Sequence, residues 1–110
     1  MNSVCLHDGT VLTGFAAMDN CSVLVKDGLI EDVFSQRRFE QKHFGPEVYV
    51  IDVEGAYIAP GFIDTHIHGF GGYGTDDAVY PDIASEKDAA DSMLEMSRLL
   101  VKQGVTAFNP

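Results

Sequence analysis

The stretch that decides the fold is residues 60–69, which have the sequence PGFIDTHIHG. Apolar and polar residues alternate along it, as they do in a β-strand whose successive side chains point to opposite faces. We therefore predict a strand that places Asp64, His66 and His68 on one face, opposite an apolar face. Neutral imidazole is the commonest metal ligand, and a rigid strand can hold two of them for one ion. The pair therefore predicts metal ligands, and two histidines on a solvated strand face are the alternative.

A glycine-rich segment follows the predicted strand. Residues 69–74, GFGGYG, fit the spacing G-x-G-x-x-G of dinucleotide-binding proteins. That function requires the pattern to open a helix directly, whereas residues 75–81 intervene here with two acids and a proline. We instead predict a loop at the carboxyl end of the strand. In such a loop, Gly69, Gly71 and Gly72 would let a substrate or a neighbouring backbone come close, and a flexible surface loop is the alternative.

The pattern becomes helical from Ser85, which is a candidate N-cap. Apolar residues then recur at spacings of three and four and predict one core-facing side. They are Ala89, Met93, Met96 and Leu100. Gly104 is typical of the position after a helix end, and residues 104–108 predict a second strand. Strand, loop, helix and strand form a βαβ unit, which implies a parallel sheet. One such unit cannot close a barrel.

The first half of the chain, residues 1–58, is β-rich and has few residues suited to chemistry. Residues 22–34 predict a hairpin around an Asp27-Gly28 turn, which is a strong hairpin signal. Residues 48–53 predict a further strand. Between them, residues 35–47 are polar and mixed and predict a loop or a short irregular segment.

Charge and composition exclude several classes of function. The net charge is −10 and the seven Lys and Arg residues are dispersed, which argues against a nucleic-acid surface and predicts no nucleic-acid partner. No apolar run is long enough to span a membrane, and the amino terminus lacks a signal-peptide pattern, so we expect a cytoplasmic protein without a membrane partner. Cys5 and Cys21 are expected to stay reduced thiols under these conditions.

The histidine stretch resembles the first barrel strand of the amidohydrolase superfamily, whose members carry His-x-His at the end of that strand. Within the superfamily, residues 71–72 and 104–110 are most similar to the N-acetylglucosamine-6-phosphate deacetylases. The resemblance implies an α/β fold in which residues 1–58 form part of a small β-sandwich domain. Residues 59–110 would form strand 1, helix 1 and strand 2 of a (β/α)₈ TIM barrel. Because such a barrel takes roughly 250 residues, we expect the chain to be an incomplete amino-terminal part of it.

The implied reaction is metal-dependent hydrolysis of the acetamide of N-acetylglucosamine 6-phosphate to glucosamine 6-phosphate and acetate. His66 and His68 would bind a divalent metal ion, zinc or iron, with one or two ions per subunit. Asp64 would ligate weakly or orient a histidine through its other ring nitrogen, and capping of a nearby backbone amide is the alternative. The partner would be a small amino-sugar phosphate, and the intact enzyme would be a homodimer.

The resemblance places no catalytic residue in this chain, because the family's general base and remaining ligands lie on later strands. The chain alone is therefore expected to be inactive. Another amidohydrolase, such as an isoaspartyl dipeptidase or a cyclic amidase, is one alternative. A non-catalytic metal-binding or folding fragment is the alternative from a different class.

Overall fold

The computed structural model describes residues 3–75 and 86–110. It contains two compact units, Met1–Pro60 and Gly61–Pro110. The division falls after Pro60 because residues 57–58 pair with the first strand of the chain and so belong to the first unit.

The first unit is built on one five-stranded sheet. Its strands are β1 (Ser3–Leu12), β2 (Ala17–Lys26), β3 (Leu29–Ser35), β4 (Val48–Asp52) and β5 (Tyr57–Ile58). The order is β3-β2-β1-β4, with β5 also pairing with β1. Strand β2 runs antiparallel to both β1 and β3, while β4 and β5 run parallel to β1. The sheet is therefore mixed, with its long antiparallel strands adjacent in sequence.

The predicted hairpin over residues 22–34 is confirmed. Asp27 and Gly28 have φ angles of 51° and 79°, the two left-handed conformations that a two-residue type I′ turn requires. One face of the sheet carries the core of this unit, formed by Val11, Cys21, Val23 and Ile58. The turn chemistry and the alternation of apolar residues therefore agree on the same register.

The prediction of a loop or irregular segment over residues 35–47 is wrong in part, because it contains helix α1, Gln36–Gln41. The Ser35 hydroxyl caps this helix by accepting a hydrogen bond from the Arg38 backbone amide at 3.3 Å. The Asp32 carboxylate forms ion pairs with Arg38 at 3.0 Å and Lys42 at 3.7 Å. A helix of six residues is too short to show an apolar periodicity, so its cap and ion pairs stabilise it instead.

Both cysteines are buried thiols in the first unit. Burial raises the pKa of the Cys5 thiol, and the nearby Lys42 ammonium opposes the rise in part. A thiol in this environment is protonated and unreactive near neutral pH, which fits a core residue.

The second unit contains the predicted βαβ arrangement. Its elements are β6 (Phe62–Asp64), β7 (Gly69–Phe70), β8 (Tyr73–Gly74), α2 (Glu86–Val101) and β9 (Val105–Phe108). Strands β6 and β9 pair in parallel on either side of α2 in sequence, as predicted. Strands β7 and β8 pair with each other antiparallel. The α/β character of residues 61–110 is thus confirmed.

Helix α2 packs through the face that the sequence predicts. Met96 is fully buried and Leu100 nearly so, and together with Ile67 they form the core of this unit. Gly104 follows the helix with a φ angle of 80°, the left-handed conformation typical of a residue after a helix end. The candidate N-cap, Ser85, lies outside the described residues. Across the described ranges, no helix is both long and apolar enough to cross a membrane.

Candidate functional site

The strand that carries the site is shorter than predicted. Strand β6 ends at Asp64, so His66 and His68 follow the strand instead of lying within it. The Asp64 carboxylate accepts a hydrogen bond from the His66 backbone amide at 3.1 Å. A side chain that captures the backbone two residues later competes with extended pairing, which explains why the strand stops there.

The two imidazoles nevertheless share one side of the chain. Their ring centroids are 4.6 Å apart with the rings nearly perpendicular, and both side chains are exposed. Ile67, between them, is buried against Met96 and Leu100. The alternation that the sequence predicts is therefore kept for these three residues, although regular strand structure is not.

Asp64 caps a backbone amide, which is the alternative role predicted for it from the sequence. Its carboxylate caps the His66 amide, so the structure provides a backbone function for this residue. Orientation of a histidine ring by Asp64 stays a prediction.

A first residue that the sequence analysis missed is Asn109. Its backbone amide donates to the Asp64 carbonyl at 2.9 Å, and its carbonyl accepts from the Ile67 amide at 3.1 Å. Its side-chain amide also reaches the Thr65 carbonyl at 3.5 Å. Asn109 thus continues the pairing of β6 and β9 alongside the histidines. Its position directly after a predicted parallel strand is the signal that could have identified it, because neighbouring parallel strands end at the same edge.

A second missed residue is Thr75, which hydrogen-bonds the backbone at His68, the carboxyl end of the histidine segment (residues 64–68). Its backbone amide and its hydroxyl both donate to the His68 carbonyl, at 2.9 Å and 3.0 Å. Thr75 is buried, and the Ser92 hydroxyl on α2 fixes its neighbourhood by donating to the Gly74 carbonyl at 3.2 Å. No local sequence pattern marks Thr75, because its partner is seven residues away across a hairpin.

A positive φ angle or a close backbone contact favours glycine at each of the three positions of the predicted substrate loop. Gly71 and Gly72 have φ angles of 64° and 87° and form the turn between β7 and β8. A side chain at Gly69 would place its Cβ 2.6 Å from the Tyr73 carbonyl oxygen. The close neighbour at Gly69 is therefore a backbone, one of the two expectations for this loop. The segment folds as a hairpin, which also excludes the dinucleotide-binding geometry; contact with a substrate stays a prediction.

The chemistry of the pair fits part of a metal site. Imidazole nitrogen is a good ligand for zinc and iron, and both rings are accessible. Zinc sites in enzymes use three protein ligands and keep a fourth position open. Within residues 3–75 and 86–110, no cluster of three or more His, Cys, Asp or Glu side chains could hold a metal ion. The described residues can therefore supply two ligands and would need others from elsewhere.

The sequence of this chain is similar to those of several named proteins. No protein-family model matches the chain. It is 31% identical over 101 residues to an N-acetylglucosamine-6-phosphate deacetylase of Caenorhabditis elegans, covering 83% of this chain and 23% of that protein. It is 36% identical over 63 residues to the Bacillus subtilis protein YtcJ, which carries the name amidohydrolase, covering 56% of this chain and 12% of that protein.

A solved structure agrees with the fold over nearly the whole chain. The N-acetylglucosamine-6-phosphate deacetylase of Pasteurella multocida superposes with a TM-score of 0.75 at 18% identity, covering 98% of this chain and 25% of that one. At this identity the likeness concerns the fold alone, and it confirms the predicted α/β architecture. The chain spans about a quarter or less of the length of each of these proteins.

Proposed function

Because the chain belongs to the amidohydrolase superfamily, we propose that it contributes the first two metal ligands of a metal-dependent hydrolase. The observation that carries the proposal is the pair of exposed imidazoles, 4.6 Å apart, directly after a parallel strand. In (β/α)₈ enzymes, residues at the carboxyl ends of the strands form the active site. His66 and His68 occupy that position relative to β6.

The reaction we propose is deacetylation of N-acetylglucosamine 6-phosphate, by cleavage of the acetamide to give glucosamine 6-phosphate and acetate. It is supported by the C. elegans relative of that name, because that alignment runs through both units of this chain. When bound, a divalent ion, zinc or iron, would polarise the amide carbonyl and lower the pKa of water.

The residues of this chain would hold and orient that ion. His66 and His68 would each donate one ring nitrogen, and the Asp64 cap and the buried Ile67 side chain would keep both rings on one side. Because these contacts restrict residues 64–68 before the ion binds, binding would cost less conformational entropy than it would for a mobile segment. The intact enzyme would act as a cytoplasmic homodimer on this amino-sugar phosphate.

The 110-residue chain alone would lack turnover. Its described residues offer no third ligand beside the two histidines, and two ligands hold zinc weakly. We therefore expect no acetate release from N-acetylglucosamine 6-phosphate by the purified chain with added zinc. Genuine turnover would contradict the assignment of the general base and further ligands to other parts of the enzyme.

The direct test is metal analysis of the enzyme that carries this segment. Replacing both residues, His66→Ala with His68→Ala, should remove at least one metal ion per subunit, because the ion loses two of its ligands. His43→Ala is the matched control, since His43 is also exposed but lies in the first unit. Unchanged metal content in the double variant would rule out the ligand assignment.

A substrate panel separates the proposed reaction from its rivals. Acetate release from the sugar phosphate, without hydrolysis of isoaspartyl dipeptides or cyclic amides, is the expected result for the same enzyme. The reverse pattern would overturn the deacetylase activity while leaving the two metal ligands in place.

A further inference from the structure

We propose that Thr75 is a positioning residue that sets the direction of the His68 imidazole towards a bound metal ion. This inference rests on the proposed role of His66 and His68 as ligands. It concerns a hydroxyl that acts through the backbone of the ligand residue.

The geometry at His68 carries the proposal. Its carbonyl oxygen accepts two hydrogen bonds from one residue, the Thr75 amide at 2.9 Å and the Thr75 hydroxyl at 3.0 Å. A carbonyl has two lone pairs, so these donors saturate it. They fix the peptide plane after His68 and so restrict the movement of the backbone that carries the His68 side chain.

Burial makes this contact effective. Thr75 is 7% exposed, so water competes poorly for its hydroxyl. The residue itself is held in place, because the preceding β7–β8 hairpin is tied to α2 by the Ser92 hydroxyl at the Gly74 carbonyl. The position of the Thr75 hydroxyl is therefore restricted by the β7–β8 hairpin and by its bond to α2.

Different hydrogen bonds fix the backbone at the two histidines. His66 depends on the Asp64 carboxylate at its amide, and His68 depends on Thr75 at its carbonyl. Loss of the Thr75 hydroxyl should therefore weaken binding at His68 while the His66 cap persists. This difference between neighbouring ligands is what an experiment can detect.

The test is a zinc titration of the full chain, followed by the NMR signals of its four imidazoles. In the wild type, the His66 and His68 rings should shift with zinc, and His7 and His43 serve as internal references. Thr75→Val removes the hydroxyl but keeps the shape, and should weaken zinc binding by about tenfold, the lower end of the effect of residues that support metal ligands. Thr75→Ser restores the hydroxyl and should restore the affinity.

Ring-specific signals distinguish positioning from a general loss of structure. In Thr75→Val at saturating zinc, the zinc-induced shift of His68 should change while that of His66 stays near its wild-type value. Ser97→Ala is the matched control, because it removes from helix α2 a hydroxyl that bonds the Leu94 carbonyl on an exposed face. Thr75→Ala carries the same test where the valine variant fails to fold, since it adds no second methyl beside the carbonyl.

The outcomes separate this inference from the proposed function. A wild-type titration that moves neither His66 nor His68, even at the high zinc concentrations that a site with two ligands requires, contradicts the metal site, and the role of Thr75 falls with it. Normal zinc binding by the wild type with unchanged affinity in Thr75→Val overturns the role of Thr75 alone. An equal loss in Ser97→Ala also overturns it, because a general change in helix α2 would then explain the effect.

Discussion

The two units stabilise their backbones in different ways. In the first unit, β1 is paired on both sides, with β2 on one edge and β4 and β5 on the other. In the second unit, β6 and β9 share three residue pairs before β6 ends. Beyond that point, Asp64, Thr75 and Asn109 satisfy backbone groups that a ladder would otherwise satisfy. In the second unit, the candidate ligands therefore lie where strand pairing ends and individual hydrogen bonds replace it.

The largest effect should follow from removing the fully buried Met96 side chain of α2. Met96→Ala leaves a cavity beside Ile67 and Leu100 and should lower the stability of the second unit by about 2–5 kcal/mol. Native-state hydrogen exchange should show a loss of protection in α2 and β9, with little change in β1 and β2.

Leu94→Ala is the matched control for the core of α2, because Leu94 lies on the same helix but is about half exposed. Its effect should stay within about 0.5 kcal/mol. Equal effects of the two substitutions would mean that the Met96 cluster does not hold the second unit together.

A smaller effect should separate two glycines, one in each unit. Gly69→Ala places a methyl group 2.6 Å from the Tyr73 carbonyl oxygen and should cost about 1–3 kcal/mol as overpacking that forces the hairpin apart. Gly28→Ala meets no atom within 4 Å, so only the φ angle of 79° opposes it, at about 1 kcal/mol.

Urea denaturation of the two glycine variants gives the comparison directly. Gly69→Ala should have the lower midpoint for the transition of its own unit. A Gly28→Ala variant that loses more stability would show that turn conformation, and not close backbone packing, is the stronger constraint.

The smallest predicted effect concerns the cap of α1. Ser35→Ala removes the acceptor for the Arg38 amide and should cost about 1 kcal/mol. Faster hydrogen exchange at the Arg38 amide would report it. Ser97→Ala is the control, because the Ser97 hydroxyl bonds the Leu94 carbonyl on an exposed helix face, where its loss is close to neutral. An Arg38 amide that exchanges at the wild-type rate would contradict the capping role.

Local signals explain most of what the sequence could predict. Asp27-Gly28 specifies a turn by its conformational preference alone, and Met96 and Leu100 mark the buried face of α2 by their spacing. The βαβ unit and its parallel pairing follow from the order of these elements. For the turn and the helix face the predictive signal lies in residues close in the chain, and for the parallel pairing it lies in the order of the elements.

The parts that could not be predicted depend on competition between local and distant partners. The end of β6 at Asp64 was missed because the capture of the His66 amide by the carboxylate competes with pairing to β9. Helix α1 was missed because a cap at Ser35 decides it without any periodic pattern. Thr75 and Asn109 contact the histidine segment across a hairpin and across 44 residues of sequence. The contact of Thr75 leaves no mark on a single sequence, whereas Asn109 is marked only by its position after a predicted parallel strand.

Ile67 gives the two histidines a thermodynamic connection to helix α2. Its side chain is packed with Met96 and Leu100 while its neighbours face outward. A cation that needs both rings on one side would therefore bind only the conformations in which Ile67 is packed. Binding and the packing of α2 are then linked equilibria, and a ligand at ten times its Kd would raise the free energy of unfolding by about 1.4 kcal/mol. Metal binding at the two histidines would thus stabilise helix α2 through the packing of Ile67.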